Sequence, residues 1–366
     1  MKFQIEQKDL VSLLTSIKPA SESKADLPAY LCTQIVVRED TVEFNSFSIQ
    51  LSMSATTSCP VEATGMAGVA TKSFYDIAKV SEGLLTLELK PDSNRLHIKG
   101  KGSHFQLNTI AGDAFPMHHN FGAIEWKEDK SAELLKLMKR VWFAAGTDET
   151  RAQLQGIFIQ NEALAIPGEV QAHKHMVCCD GHRLATLRHN FDLGRDMNLP
   201  AESIKKVAGV LNEEEPLHYS TSETALLLSQ SNIFAEIRGF DGGYPAYNKI
   251  IPAEAYDELV VNREAMKAGM RKIAPLYDKS MTGKMTCKEG IMTLTSFSHE
   301  LGKAESTLEV QMNKEFEVGF NAKYIEQVLD HLEDDTVVLK VRGSDRPIEI
   351  RENDYLHVIM PKRVGS

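Results

Sequence analysis

Two kinds of short amphipathic helix recur along the 366-residue chain, and that recurrence constrains the fold more than any single motif. The first kind spaces apolar residues at i, i+3, i+4 and i+7, which places them on one stripe of a helix. Leu10, Leu13, Leu14 and Ile17 make one copy, and Leu134, Leu137, Met138 and Val141 make the next. A weaker third copy is Met266, Met270 and Ile273, with Gly269 where an apolar side chain is expected. The second kind runs through Phe74, Ile77 and Ala78, then Ile204, Val207, Ala208 and Leu211, then Ile325, Val328, Leu329 and Leu332. Asn262 and Asn321 are placed to cap orphan backbone N–H groups, and Pro200 suits a first helical turn.

Strand patterns follow each helix of the second kind. Leu85–Leu89 turns through Asp92-Ser93-Asn94 into Arg95–Ile98 and then His104–Leu107. The middle third offers Ala225–Leu228 and Ile233–Ile237; the last offers Val337–Val341, Pro347–Ile350 and Tyr355–Met360. Period-two alternation with turn residues between runs predicts hairpins. Each third closes on a bulky residue and a proline: Phe115-Pro116, Tyr244-Pro245 and Met360-Pro361. The expected architecture is therefore α+β, with three tandem similar domains at 1–121, 122–252 and 253–366.

Composition enters where function is narrowed. Formal charge is −10, so nothing global draws the chain to nucleic acid or an anionic membrane. No apolar run approaches the roughly 20 residues of a membrane helix. Met1–Glu6 alternates like a strand, and the five cysteines include no C-x-x-C pair, which fits a reducing cytoplasm. Phosphate-binding glycine loops, G-x-S-x-G and H-E-x-x-H are absent from the sequence, so no enzyme class and no cofactor is called for. The strongest enzyme alternative is a metal site at His173, His175, Cys178, Cys179 and His182, since zinc accepts both donor types. Alternating histidines and adjacent cysteines on one strand do not normally converge on a tetrahedron. His118-His119 is isolated in the same way. The acidic runs Glu213-Glu214-Glu215 and Glu333-Asp334-Asp335 read as solvated helix ends.

A DNA role would require the basic residues to be sorted onto helix faces, and they are. Opposite the apolar stripes lie Lys136, Lys139 and Arg140; Lys205 and Lys206; and Lys267, Arg271 and Lys272. Lys72 and Lys79 flank Asp76, and the first helix adds Lys8. The sixth helix dissents, with Lys323 sharing its face with Asp330, His331 and Glu326. Such faces pull weakly on phosphate without reading bases, and no base-reading constellation accompanies them.

The tripled architecture, the opening Met1-Lys2-Phe3 and the segment Asp180-Gly181-His182-Arg183-Leu184-Ala185 resemble the bacterial DNA polymerase III beta subunit family, the sliding clamps. Further matches run in family order: Leu27-Pro28, Arg151 with Leu154 and Gly156, Tyr244-Pro245-Ala246-Tyr247 to Ile251-Pro252, Phe320-Asn321 with Tyr324, and Met360-Pro361-Lys362-Arg363. Departures are Cys178-Cys179 where the family usually has Ala-Thr, Lys24 where arginine is common, Ala274-Pro275 near where the family commonly carries a large aliphatic pair, and the extension Val364-Gly365-Ser366. The resemblance implies a head-to-tail homodimer forming a ring, with helices lining a central channel for double-stranded DNA and antiparallel sheets outside. It implies no catalysis and no membrane. It implies tethering of the replicative polymerase and of an ATP-driven clamp loader. A DNA-independent interaction scaffold is the alternative.

The resemblance also implies sites. Asp180-Gly181 has hairpin-turn chemistry, and in the family this turn walls a groove for a short linear motif of the partner. Matching positions are Leu154, Gly181, His182, Arg183 and Leu184; Pro245 and Ile250; and Val358, Met360, Pro361 and Arg363. Cys179 and Lys249 stand at groove positions with altered residue types. Aliphatic groups and methionine suit bulky apolar anchors, and an arginine suits a polar group at the rim. The expected motif carries one glutamine-like residue and two apolar anchors, and alanine at Leu184 and Met360 is expected to weaken it. Phe105 and Leu107 match the family's apolar subunit interface, with Ile273 and Leu276 as expected partner residues. Lys24 joins the expected DNA contacts by the same resemblance.

Overall fold

The computed structural model of the chain describes residues 1–90, 93–116, 124–253, 256–312 and 314–363. Among them the helices are α1 (Gln7–Ile17), α2 (Thr71–Val80), α3 (Glu133–Val141), α4 (Ala201–Ala208), α5 (Arg263–Ile273) and α6 (Ala322–His331). Each lies where its stripe predicts it. Leu10, Leu13, Leu14 and Ile17 are buried in α1, and Ile325, Val328 and Leu329 in α6. In α3 the stripe is shifted by one residue: Leu135 is fully buried and Leu137 only half-buried.

The caps explain where several helices start. Asn262 Oδ1 accepts from the Ala265 N–H at 2.9 Å, and Asn321 Oδ1 from the Lys323 N–H at 3.1 Å. Pro200 differs from expectation by one position. It precedes α4 with a non-helical backbone (φ −55°, ψ 118°) and is the last residue of the strand Met197–Pro200. Gly269 also has a packing reason. A Cβ there would stand 3.0 Å from Leu294 Cδ1 and 3.2 Å from Leu308 Cδ1, so the missing side chain lets α5 settle onto its sheet.

The chain folds as two compact units, one joining Met1–Lys136 to Leu199–Gly239, the other joining Leu137–Asn198 to the residues from Phe240 on. In the first, a thirteen-stranded sheet begins Lys127–Asp129, Leu217–Thr221, Ala225–Gln230, Ile233–Arg238. It continues through Leu51–Ser58, Thr41–Phe47, Cys32–Val37, Gly65–Ala70 and Ser103–Ala111. Arg95–Gly100, Leu84–Leu89, Lys2–Glu6 and Val61–Ala63 complete it. The join between its halves is the antiparallel pairing of Ile233–Ile237 with Leu51–Ala55. Helices α1 and α2 pack together here over a core that includes Phe3, Phe44 and Phe74.

In the second unit, Gly156–Ile159, Lys174–Cys179, Arg183–His189, Tyr355–Ile359, Ile348–Glu352, Thr336–Val341 and Asp257–Asn262 run side by side. A separate four-stranded sheet orders Gly302–Glu309, Ile291–Ser298, Thr282–Lys288 and Phe316–Asn321 under α5. Residues 156–189 and 217–238, both within the expected middle third, thus extend different sheets. Sheet continuity explains the two compact units.

The expected turn residue Asp92, the His118-His119 pair, the domain boundary at 121 and the extension Val364-Gly365-Ser366 lie outside the described residues. No helix among the described residues is long and apolar enough to cross a membrane.

Candidate functional site

A row of three side chains lies where the base of the expected groove would be. Antiparallel register puts Cys179 opposite Leu184, and Leu184 opposite Val358, so the three share one face across three strands. All are nearly or wholly buried, packed with Ile166, Val177, Tyr247, Ile251 and Leu356. Leu154, Phe158, Leu164 and Tyr244 cover this cluster while staying partly open to solvent. Phe158 and Tyr244 stack with centroids 4.7 Å apart, giving the groove a flat aromatic wall. Pro245, Lys249, Ile250 and Met360 are exposed around it; Ile250 and Met360 keep 46% and 43% of their surface open. Two large apolar side chains left open beside an apolar base offer purchase to a bulky side chain from outside.

The turn that frames the groove is built as the dipeptide predicts. Gly181 takes φ +89°, and Asp180 Oδ1 accepts from the His182 and Arg183 N–H groups at 2.9 and 3.0 Å. The Met360 N–H donates to the His182 carbonyl at 2.9 Å, tying the last strand to the turn.

Arg183 is not a rim residue. Only 6% exposed, it donates through Nε to Asp180 Oδ2 at 3.0 Å and through its other nitrogens to Gln327 Oε1 and the Phe143 carbonyl. Its guanidinium lies over the Tyr324 ring at 4.3 Å. Burial lowers its pKa, opposed chiefly by Asp180. With these donors committed inward, it locks α6 and the Asp180 turn together. Arg363 is exposed and lines a different pocket, on the four-stranded sheet, with Lys362 and Lys284. Pro361 is half-buried, and His182 is exposed on the turn.

The altered Cys179 is a neutral apolar filler. Burial raises its thiol pKa, and the Tyr244 hydroxyl donates to its sulfur at 3.3 Å. Beneath it sits a polar network. Tyr247 donates to Gln160 Oε1 at 2.6 Å, and Glu169 Oε1 receives His175 Nε2 at 3.1 Å and Arg188 Nε at 2.6 Å. These contacts give His175 and Cys178 protein partners and do not favour the metal alternative. His175 is held by Glu169, Cys178 donates to the Gly156 carbonyl, and Cys179 points to the opposite face of the strand. Among the described residues no three His, Cys, Asp or Glu side chains converge on a metal position.

The basic helix faces are unequal. Lys24, Lys72, Lys79, Lys206, Arg271 and Lys272 are exposed, while Lys136, Lys139 and Lys205 are half-exposed. Lys205 meets Glu202 at 2.7 Å. Arg140 has a structural job instead: it binds Glu352 at 3.1 Å and Glu333 at 3.5 Å, and sits over the Tyr355 ring. Lys267 spans from α5 to Asp330 of α6 at 2.8 Å, so the dissenting acid of α6 is partly answered within the unit. Lys18, just past the end of α1, was not singled out by sequence. Its Nζ lies 4.2 Å from the centre of the Tyr75 ring, with Lys79 on the same ring at 5.6 Å. A basic residue one position beyond the apolar stripe is the signal that marks it.

Of the expected interface residues, Phe105 and Leu107 are half-buried on Ser103–Ala111. Leu276 is half-exposed, but Ile273, the last residue of α5, is fully buried and offers no surface to a second chain. Two strand edges are more telling. Ser103–Asn108 pairs with Arg95–Gly100 on one side, and among the described residues only 109–111 pair on the other, with 67–69. Gly302–Glu309 is the outermost strand of its sheet.

Residues 1–119 match the DNA polymerase III beta subunit, N-terminal domain, and residues 248–363 match the C-terminal domain of the same subunit. The "Beta sliding clamp" of Rickettsia felis is 24% identical, with all of both chains covered. That of Bacillus subtilis is 25% identical, covering 99% of this chain and all of its own. Crystal structures of the clamps from Bacillus subtilis and Caulobacter crescentus superpose with TM-scores of 0.90 at 22% identity over the full length of both chains. The two domain models together span well over half of the sequence, and this chain belongs to the DNA polymerase III beta subunit family.

Proposed function

We propose that the chain is a DNA sliding clamp: two copies close head to tail around duplex DNA, and the groove beside Asp180-Gly181 tethers the replicative polymerase and the clamp loader. It is a processivity factor and carries out no chemistry itself. The observation that carries this reading is the clamp fold over the whole chain, and the apolar cluster around Cys179, Leu184 and Val358 supports a groove beside the turn. Exposed cations on α2, α4 and α5 would face phosphate without engaging base edges. That fits a protein retained by topology and free to slide. Its place would be on replicating DNA, in the nucleoid.

Pairing between copies has a natural route in the two open strand edges. Ser103–Asn108 of one copy would add to Gly302–Glu309 of the other, extending a sheet across the boundary. Charge is complementary in part: Arg95, Lys99 and Lys101 accompany the first edge, and the second carries Glu309 and Glu305, the latter paired with Lys303. Phe105 and Leu107 would then be covered from their half-buried state.

The test is primer extension on a primed single-stranded circle with the cognate polymerase and loader. Adding this protein is expected to lengthen products per binding event at limiting polymerase. Product lengths unchanged by the protein, with the loader shown to be active, would reject the assignment.

A further inference from the structure

A second pocket, of about 480 Å³, lies in the last third of the chain on the four-stranded sheet. Alternation fixes which face it occupies. Met285 and Leu294 point to α5, so Lys284, Thr295, Phe297 and Lys303, offset by one and joined by the register Lys284↔Thr295 and Phe297↔Lys303, point the other way. Lys362 and Arg363, near the end of the sequence, complete the wall. The Lys362 N–H donates to the Gly319 carbonyl at 2.8 Å, and its ammonium donates to the Ser280 carbonyl. His299 and the half-exposed Phe297, in edge-to-face contact at 4.9 Å, supply an aromatic side.

The charge of this pocket is sorted. Lys284, Lys303, Lys362 and Arg363 face it, against one lining acid, Asp278. Asp278 is held in its own turn, accepting from the Ser280 hydroxyl at 2.7 Å and the Ser280 N–H at 3.0 Å; it keeps its charge, and the four cations still leave the lining net positive. Lys284 and Lys303 touch exposed Glu317 and Glu305 at 3.2 and 2.6 Å, pairs weak enough for an incoming carboxylate to exchange with them. The pocket is also tied to the groove along the chain: Met360 is exposed beside the Asp180 turn, and only three residues separate it from Arg363 in the pocket wall.

We infer that this pocket takes an acidic, extended flank of the same partner whose apolar motif fills the groove, which makes binding two-part: apolar anchors beside Met360, then carboxylates at Lys284 and Lys362. The inference rests on the groove reading. An acidic protein segment fits better than DNA, because the cations proposed for DNA on α5 sit on the opposite face of this sheet. Strand addition at the Gly302–Glu309 edge leaves the face of the sheet open, so ring closure and pocket binding are compatible. A partner with an acidic flank would gain affinity and salt sensitivity over one with the apolar motif alone.

The experiment uses the full-length protein and fluorescent peptides: a core peptide with one glutamine and two bulky apolar residues, and the same core with three glutamates added at either end. The readout is anisotropy at 50 and 300 mM salt on the unmodified protein and on Lys284→Ala/Lys362→Ala, with thermal melting as a folding check. One acidic extension is expected to tighten binding on the order of fivefold at low salt, from two exposed ion pairs. That gain should vanish at high salt and in the double variant, while core-peptide affinity stays the same. Equal affinity of core and extended peptides would overturn the pocket and leave the groove standing. Failure of the core peptide to bind the unmodified protein would overturn both. Loss of duplex-DNA affinity in the variant, without loss of the peptide gain, would make the pocket a phosphate contact and overturn the inference.

Discussion

Alanine at Met360 separates the groove's working surface from its foundations. The side chain is 43% exposed, two residues on from the buried Val358 of a base that is already closed. Truncation removes three heavy groups, each worth about 0.8 kcal/mol when fully buried. Only the exposed fraction is available for a partner to cover, so the loss is about 1 kcal/mol, roughly fivefold in Kd. Leu184→Ala behaves differently. Leu184 is fully buried between Cys179 and Val358, so its truncation opens a cavity and costs about 2–5 kcal/mol of stability before any peptide arrives. Pairing the two substitutions, as the sequence alone invites, would confuse binding with folding. Peptide anisotropy and calorimetric melting on each single variant resolve them. Met360→Ala should weaken the peptide with an unchanged Tm, and Leu184→Ala should lower Tm. A folded Met360→Ala variant with full peptide affinity would refute the groove.

Further outcomes follow from the same contacts. Removing the Asn262 cap by alanine should cost about 1 kcal/mol in denaturant unfolding, because the Ala265 N–H loses its acceptor. Arg271→Ala/Lys272→Ala should reduce the salt slope of weak DNA binding by about 0.9 per lost phosphate contact, with no change between DNA sequences. His189 is held neutral by burial, with its pKa lowered to about 4. Its Nε2 donates to the Gln160 carbonyl while Nδ1 accepts from the Phe191 N–H, an arrangement that a second ring proton would break. The folded state therefore resists a proton that the unfolded chain accepts below about 6.5. Stability is full above that pH and falls as pH drops toward 4, by about 3 kcal/mol for this group. Unfolding titrations of the native protein and His189→Gln at pH 4–7 check it: the variant's curve should be flatter.

Helix stripes were legible because one buried face imposes a 3.6-residue period that survives divergence. The first halves of the thirds were less so. Strands such as Thr41–Phe47 and Leu51–Ser58 are buried on both faces over much of their length, so alternation fades and no period marks them. In the groove, Gly181, Leu184, Ile250 and Met360 came from the resemblance, and the turn from its own dipeptide. Arg183 and Arg140 show what sequence leaves out. An arginine on a polar face reads the same whether it meets solvent or reaches a buried acid, and Glu352 lies 212 residues from Arg140. The Phe158–Tyr244 wall was hidden for a similar reason: its halves are joined only in three dimensions.

The central claim is that DNA is enclosed and not gripped. The most direct measurement loads the protein onto nicked circular DNA, washes at moderate salt, and then linearises the circle. The account predicts retention through the wash and release on linearisation. Loss in the wash, or retention on the open-ended DNA, would contradict it.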